Sequence, residues 1–183
     1  MGQAKTVVLG LGNRIYSDDA VGVFAIQLLE KSSSIPHGVT LIEGGTLGLA
    51  LLPYVSGATR WLVLDAVDVA AAPGTIVQLA GEELRALPRG ASAHDAGLSD
   101  LAAALHLLGE DPPETVLLGV QPGSVALGTT LSPPVEKALP QLVETALALL
   151  KEWAQNDLRQ ERNRETARPD APAATPAARA ARP

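Results

Sequence analysis

The first apolar run of the chain, Thr6 to Leu9, is short and β-branched, and it stops at the glycines at positions 10 and 12. A run of this kind bounded by glycine predicts a strand followed by a sharp turn. Beyond the turn, Val21, Phe24, Leu28 and Leu29 form an apolar stripe at helical spacing. A helix is therefore expected to about Lys31, with Ser17 or Asp18 able to cap it. Val39 to Ile42 reads as a second strand, closed by Gly44, Gly45 and Thr46. A short helix follows from Leu47 to about Val55, which Pro53 ends or bends. Trp61 to Leu64 is apolar at every position, the pattern of a strand covered on both faces. After a turn at 71–74, Thr75 to Leu79 returns as an antiparallel edge strand. Leu98 to Leu108 is helical and Thr115 to Val120 is a buried strand. Pro134 to about Trp153 is the closing helix, which Pro140 kinks or truly begins.

Strands that alternate with helices predict an α/β domain: a three-layer α/β/α sandwich around a mostly parallel, twisted sheet of about five strands, with one antiparallel edge strand. The expected domain covers residues 1–154. From about Asn156 the chain turns to Arg, Glu, Ala and Pro without an apolar face, so 155–183 reads as a tail. Its end, PDAPAATPAARAARP, cannot bury enough surface to offset its ordering entropy and is expected to be disordered.

Composition narrows the function. The 183 residues include no cysteine, which removes disulfides, thiolate metal ligands and a cysteine nucleophile. The net charge is −6, and the tail holds six arginines against four acids, so the body is more acidic than the whole. An acidic body with 3% aromatic residues suits neither nucleic-acid phosphates nor a base-stacking platform. No apolar stretch approaches the roughly 20 residues needed to span a bilayer, and the N-terminal run is too short for a signal peptide. A cytoplasmic protein that binds neither membrane nor nucleic acid is expected.

In doubly wound sheets, function gathers at the carboxyl ends of the strands beside the switch point. The conspicuous acids fall there: Asp18 and Asp19 after the first strand, Glu43 at the end of the second, Asp65 and Asp68 after the third. The first turn resembles a phosphate loop, but Ile15 stands where a third glycine belongs and the twin aspartates would repel phosphate. A first-turn acid can also merely complement a helix dipole, a role that suits Asp18 better than Asp19. Asp65 emerges from a strand buried on both faces, where a carboxylate is rarely surface decoration, whereas Asp68 belongs to the loop and its solvent. His94 lies in a loop of small residues and gains weight only from Asp19 and Asp65. His37 and His106 read as bystanders. One histidine and two aspartates from three loops of one sheet edge make an N/O donor set for a divalent metal. No serine sits in a nucleophile elbow and no HExxH is present, so a hydrolytic reaction would use water as the attacker.

Five blocks in order carry a resemblance: GLGNRIYSDDAVG, EGGTLG at 43–48, LDAVDVAAAPGT at 64–75, SAHDAGLSD at 92–100 and GVQPGSVALGTTLSPPV at 119–135. Together they resemble the hydrogenase maturation endopeptidases, proteases that trim the C-terminus of the nickel–iron hydrogenase large subunit. The resemblance runs from about Thr6 to about Trp153. It implies a metal site of Asp19, Asp65 and His94, with Asp19 and Asp65 as the catalytic carboxylates. It also implies nickel that arrives with the large-subunit precursor and serves in recognition. Glu43 stands where the resemblance leads one to expect Asp. A rival reading is a non-catalytic nickel-binding or metal-delivery protein in hydrogenase assembly, using the same three residues.

Overall fold

The computed structural model describes residues 5–88, 90–111 and 113–166. Strand β1 (Thr6–Leu11) leads through a 3-10 turn (Ser17–Ala20) into helix α1 (Val21–Glu30). Strand β2 (Val39–Gly45) is followed by a 3-10 turn (Gly48–Leu51) and the four-residue helix α2 (Leu52–Val55). Then come β3 (Arg60–Ala66), β4 (Ile76–Ala80), the short α3 (Gly81–Arg85), α4 (Asp95–Leu107), β5 (Glu114–Val120) and α5 (Pro133–Thr166). The five strands form one sheet in the order β2-β1-β3-β5-β4, parallel throughout except for β4 against β5. This is the expected architecture, including the antiparallel edge.

Alternating side chains on the central strands feed two separate cores. Val8, Leu62, Leu64, Val116 and Leu118 pack with Val21, Ile26 and Leu29 of α1 and with Leu142 and Leu150 of α5. Val7, Leu9, Trp61, Val63 and Leu117 face the other way, onto Leu51, Val55, Leu101 and Leu105. An apolar residue at every position of a strand is the mark of two-sided burial, and each fully buried Leu or Ile contributes about 1.5–3 kcal/mol. Helix α1 lies unusually close to the strands. A Cβ at Gly22 would stand 2.0 Å from the Leu64 carbonyl oxygen and 2.5 Å from that of Leu11, so only glycine fits there. Gly10 meets the same helix from the strand side. Gly12 makes the turn itself, at φ +134°.

Several boundaries differ from expectation for physical reasons. Helix α1 proper begins at Val21, and neither Ser17 nor Asp18 caps it. Its buried stripe runs through Ile26 rather than Leu28, which is exposed, because α1 is gripped between the sheet and α5. Pro53 sits in the first turn of α2, where its missing N–H is harmless. Helix α4 starts three residues early, at Asp95. Pro140 is carried inside α5, which continues past the expected domain end at 154 to Thr166. The extension is anchored near its root. Arg60 Nη1 donates to Asp157 Oδ2 at 2.9 Å while its guanidinium lies 5.5 Å from the Trp153 ring centre. The segment 169–183, expected to be disordered, lies outside the described residues.

Candidate active site

Strands β1 and β3 are parallel neighbours in the sheet. The carboxyl ends of these two neighbours bring Asp19 and Asp65 to one place. Asp65 is the penultimate residue of β3 and is buried. Its Oδ1 accepts from the Ala66 amide at 2.8 Å and faces His94 Nδ1 at 3.2 Å. Its Oδ2 accepts from Ser92 Oγ at 2.5 Å. Burial pushes the Asp65 carboxyl above its usual range, and the contacts with His94, Ser92 and Ala66 offset this only in part. Ser92 Oγ also accepts from the His94 amide at 2.9 Å, so one hydroxyl fixes both the carboxylate and the backbone of the histidine.

Asp19 approaches the other side of the imidazole. Its Oδ2 accepts from the Asn13 amide at 2.7 Å and lies 3.9 Å from His94 Nε2. The three residues singled out in the sequence are thus in line: Asp65, then His94, then Asp19. A histidine that gives its Nδ1 hydrogen to Asp65 carries a lone pair at Nε2, the atom that faces Asp19. Asp19 and His94, together with Asn13, Thr46 and Asp68, line a cavity of about 700 Å³ whose buried floor is Leu9, Leu11, Leu51 and Leu101. Asp65 contacts the cavity's chemistry through His94. Among the described residues no three His, Cys, Asp or Glu side chains are grouped so as to hold a metal ion by themselves. Facing each other across the cavity wall are the Asp19 carboxylate and one imidazole nitrogen of His94, with Asp68 elsewhere on the lining.

The neighbouring acids do other work. Asp18 is buried and points away from its twin. Its carboxylate accepts from the amides of Gly123 (2.8 Å), Ser124 (2.9 Å) and Ser132 (2.5 Å) and from Ser132 Oγ (2.7 Å). Burial opposes its ionisation, but the hydrogen bonds from Ser132, Ser124 and Gly123 prevail and hold it below the usual range. The expected helix cap is therefore a tie to a loop more than a hundred residues away. Asp68 is exposed; the Ala70 amide and the Gln121 side chain lower its carboxyl. Glu43 takes Arg14 in a two-pronged exposed ion pair, at 2.6 and 3.1 Å. His37 and His106 are exposed, and neither borders the cavity.

The hydrogenase maturation protease model matches residues 23–149 of the chain. The Hydrogenase 2 maturation protease of Escherichia coli (strain K12) is 37% identical over 150 residues, 81% of this chain and 92% of that protein. The hydrogenase expression/formation protein HupD of Bradyrhizobium diazoefficiens is 35% identical over 155 residues, 81% of this chain and 79% of its own length. Among solved structures, the hydrogenase maturating endopeptidase HybD from E. coli superposes with a TM-score of 0.74 at 36% identity, covering 81% of this chain and 93% of that one. The chain belongs to the hydrogenase maturation protease family. The sequence resemblance and the α/β fold it implied both hold, and peptide-bond hydrolysis is the chemistry of the family.

In this protease, sequence reasoning missed the residues that hold the site. Ser92, one of the serines without a nucleophile elbow, organises Asp65 and His94 through its hydroxyl. Gln121, buried at the end of β5, accepts from the amides of Val69 (2.8 Å) and Ala71 (3.2 Å) and donates to Asp68 Oδ1 (3.2 Å), fixing the loop after β3. A polar residue directly after a buried strand was the available signal for Gln121. For Ser92 it was the two-residue spacing to a loop histidine.

Proposed function

We propose that this protease removes the C-terminal peptide from the large-subunit precursor of a nickel–iron hydrogenase and recognises the precursor by the nickel it carries. The observation that supports the reading is the gap between Asp19 Oδ2 and His94 Nε2, 3.9 Å wide, both groups lining one large cavity. An oxygen and an imidazole nitrogen suit nickel without filling its coordination. The remaining ligands would come from the precursor, so the metal arrives as part of the substrate. Asp65 completes the triad by holding the imidazole through Nδ1, and a metal ligand's second-side partner commonly has this role.

Hydrolysis then needs a water and a place for its proton. The Asp19 carboxylate, fixed by the Asn13 amide, accepts the proton as the water oxygen adds to the scissile carbonyl carbon. The same proton passes to the leaving amide nitrogen as the C–N bond breaks. Asp65, whose carboxyl is raised by burial, is the second member of the carboxylate pair and acts through His94. A cytoplasmic place of action belongs to this reading. No helix among the described residues is long and apolar enough to cross a membrane.

The test is a mass measurement on the precursor, nickel-loaded or nickel-free, with wild-type protein and with His94→Ala. Loss of a C-terminal peptide from the loaded form alone, and only with wild type, is the expected result. Full processing by a folded His94→Ala variant would overturn the triad. Stoichiometric nickel binding with no cleavage of a bound precursor would favour metal delivery instead.

A further inference from the structure

The loop between β5 and α5 is fastened to the segment between β1 and α1 by a row of contacts. Gly128 N donates to the Ile15 carbonyl at 3.0 Å, Ser17 N to the Gly128 carbonyl at 2.8 Å, and Asp18 N to the Ser124 carbonyl at 3.1 Å. Ser17 Oγ donates to the Ala126 carbonyl at 3.0 Å. To reach both Gly128 and Ala126, Ser17 takes a left-handed φ of +48°, uncommon for a residue with a side chain. Gly128 leaves room for that hydroxyl, since a Cβ there would stand 2.5 Å from Ser17 Oγ. The buried Asp18 carboxylate closes the row with its four donors. Two chain segments far apart in sequence are thereby clasped into one unit.

The outer surface of this clasp is apolar. Ile15 is 53% exposed, Tyr16 41%, Val125 55% and Leu127 76%. Tyr16 and Val125 also line the cavity that holds Asp19 and His94, so the lip reaches the site through these two side chains. Four exposed large hydrophobic side chains joined to a catalytic cavity mark a contact surface.

We propose that Asp18 is a positioning residue for substrate: it holds the 123–132 loop so that Ile15, Tyr16, Val125 and Leu127 form one apolar lip for the precursor segment that leads into the cavity. The inference rests on the endopeptidase reading and adds to it the surface on which the protein substrate lies. The twin aspartates then divide the labour. Asp19 faces the reacting bond, and Asp18 fixes the loop that presents the substrate chain to it.

The experiment compares wild type, Asp18→Asn and the double variant Val125→Ser/Leu127→Ser on nickel-loaded precursor, with Kd, KM and kcat measured separately. Hydrogen exchange is followed at the amides of Gly123, Ser124 and Ser132. An amide at position 18 must turn its NH2 toward groups that are already donors, so exchange at those three amides should speed up. KM and Kd should rise about tenfold or more in both variants, while kcat stays near wild type because ground-state and transition-state binding are lost together. Unchanged Kd in the double variant, whose side chains are on the surface and do not decide folding, would overturn the lip. A fall in kcat at unchanged KM for Asp18→Asn would overturn the positioning role. Wild type that binds precursor but never cleaves it would sink the endopeptidase reading alone, because the Kd comparison would still judge the lip.

Discussion

Asp18 and Asp65 are both buried carboxylates beside the same cavity, and their environments act on the proton in opposite senses. At Asp18 four donors outweigh burial and favour the charged form; at Asp65 burial outweighs its partners and disfavours it. The sign follows. Asp18, with its folded pKa lowered, contributes stability above the ordinary value of 3.8, and loses it as pH falls through the lower folded value. Asp65, with its folded pKa raised, contributes most below the ordinary value, and that contribution is lost as pH rises through the raised one. One wall of the site is therefore built for the fold at neutral pH. The other accepts an energetic disadvantage there in order to orient a histidine.

The largest effect that probes this contrast is Asp65→Asn. An asparagine can still accept from the Ala66 amide and offer its NH2 to Ser92 Oγ, so melting temperature at neutral pH should hold or rise. Activity should fall about 10²–10⁴-fold, as expected when the His94 imidazole loses the carboxyl group that orients it. A variant that melts much earlier would show that Asp65 serves the fold and would erase the contrast. Ser92→Ala comes next. It removes one hydroxyl that fixes both Asp65 and His94 and should lower processing about 10–100-fold, with Ser92→Thr restoring much of it; equal activity of all three forms would make Ser92 a bystander.

Asp18→Asn is the mirror case, read in denaturation curves. It should lose about 1–3 kcal/mol at neutral pH, because a donor is forced against donors in a buried place. Its stability should also respond less to acid than that of wild type as pH falls past 3.8. Parallel acid profiles for the two proteins would contradict the assignment. The smallest effect belongs to Glu43→Gln. The Arg14–Glu43 pair is exposed on both sides, so stability should move by less than about 0.5 kcal/mol. A larger loss in urea titrations would give this rim pair a structural weight its exposure does not support.

The sheet was legible because Trp61 to Leu64 and Val116 to Leu118 are apolar at every position, as strands that feed two cores must be. The nearness of Asp19 and Asp65 was legible because each follows the carboxyl end of a parallel strand, and His94, in a loop of small residues, was weighed only through them. Asp18 was not. Its partners are 105 to 114 residues away, and a first-turn acid has a ready local explanation in capping. Ser92 was opaque for a similar reason, since its hydrogen bond to Asp65 spans 27 residues. The length of α5 was hidden because its end needs no apolar face: good helix formers carry it, and Arg60 anchors Asp157. What escaped the sequence were polar ties between distant segments, which leave no periodic trace.

Gly22 gives the site its dimensions. Asp19 stands just ahead of α1, and Asp65 directly follows the residue whose carbonyl touches Gly22. The spacing between Asp19 and the Asp65 that holds His94 is thus gauged at a contact that contains neither of them, by how closely a helix without a methyl group can settle on a strand. A misfit of about 1 Å in a reactive geometry can lower a rate about 10²-fold. A tight tolerance in this protease is accordingly machined into a residue that has no side chain.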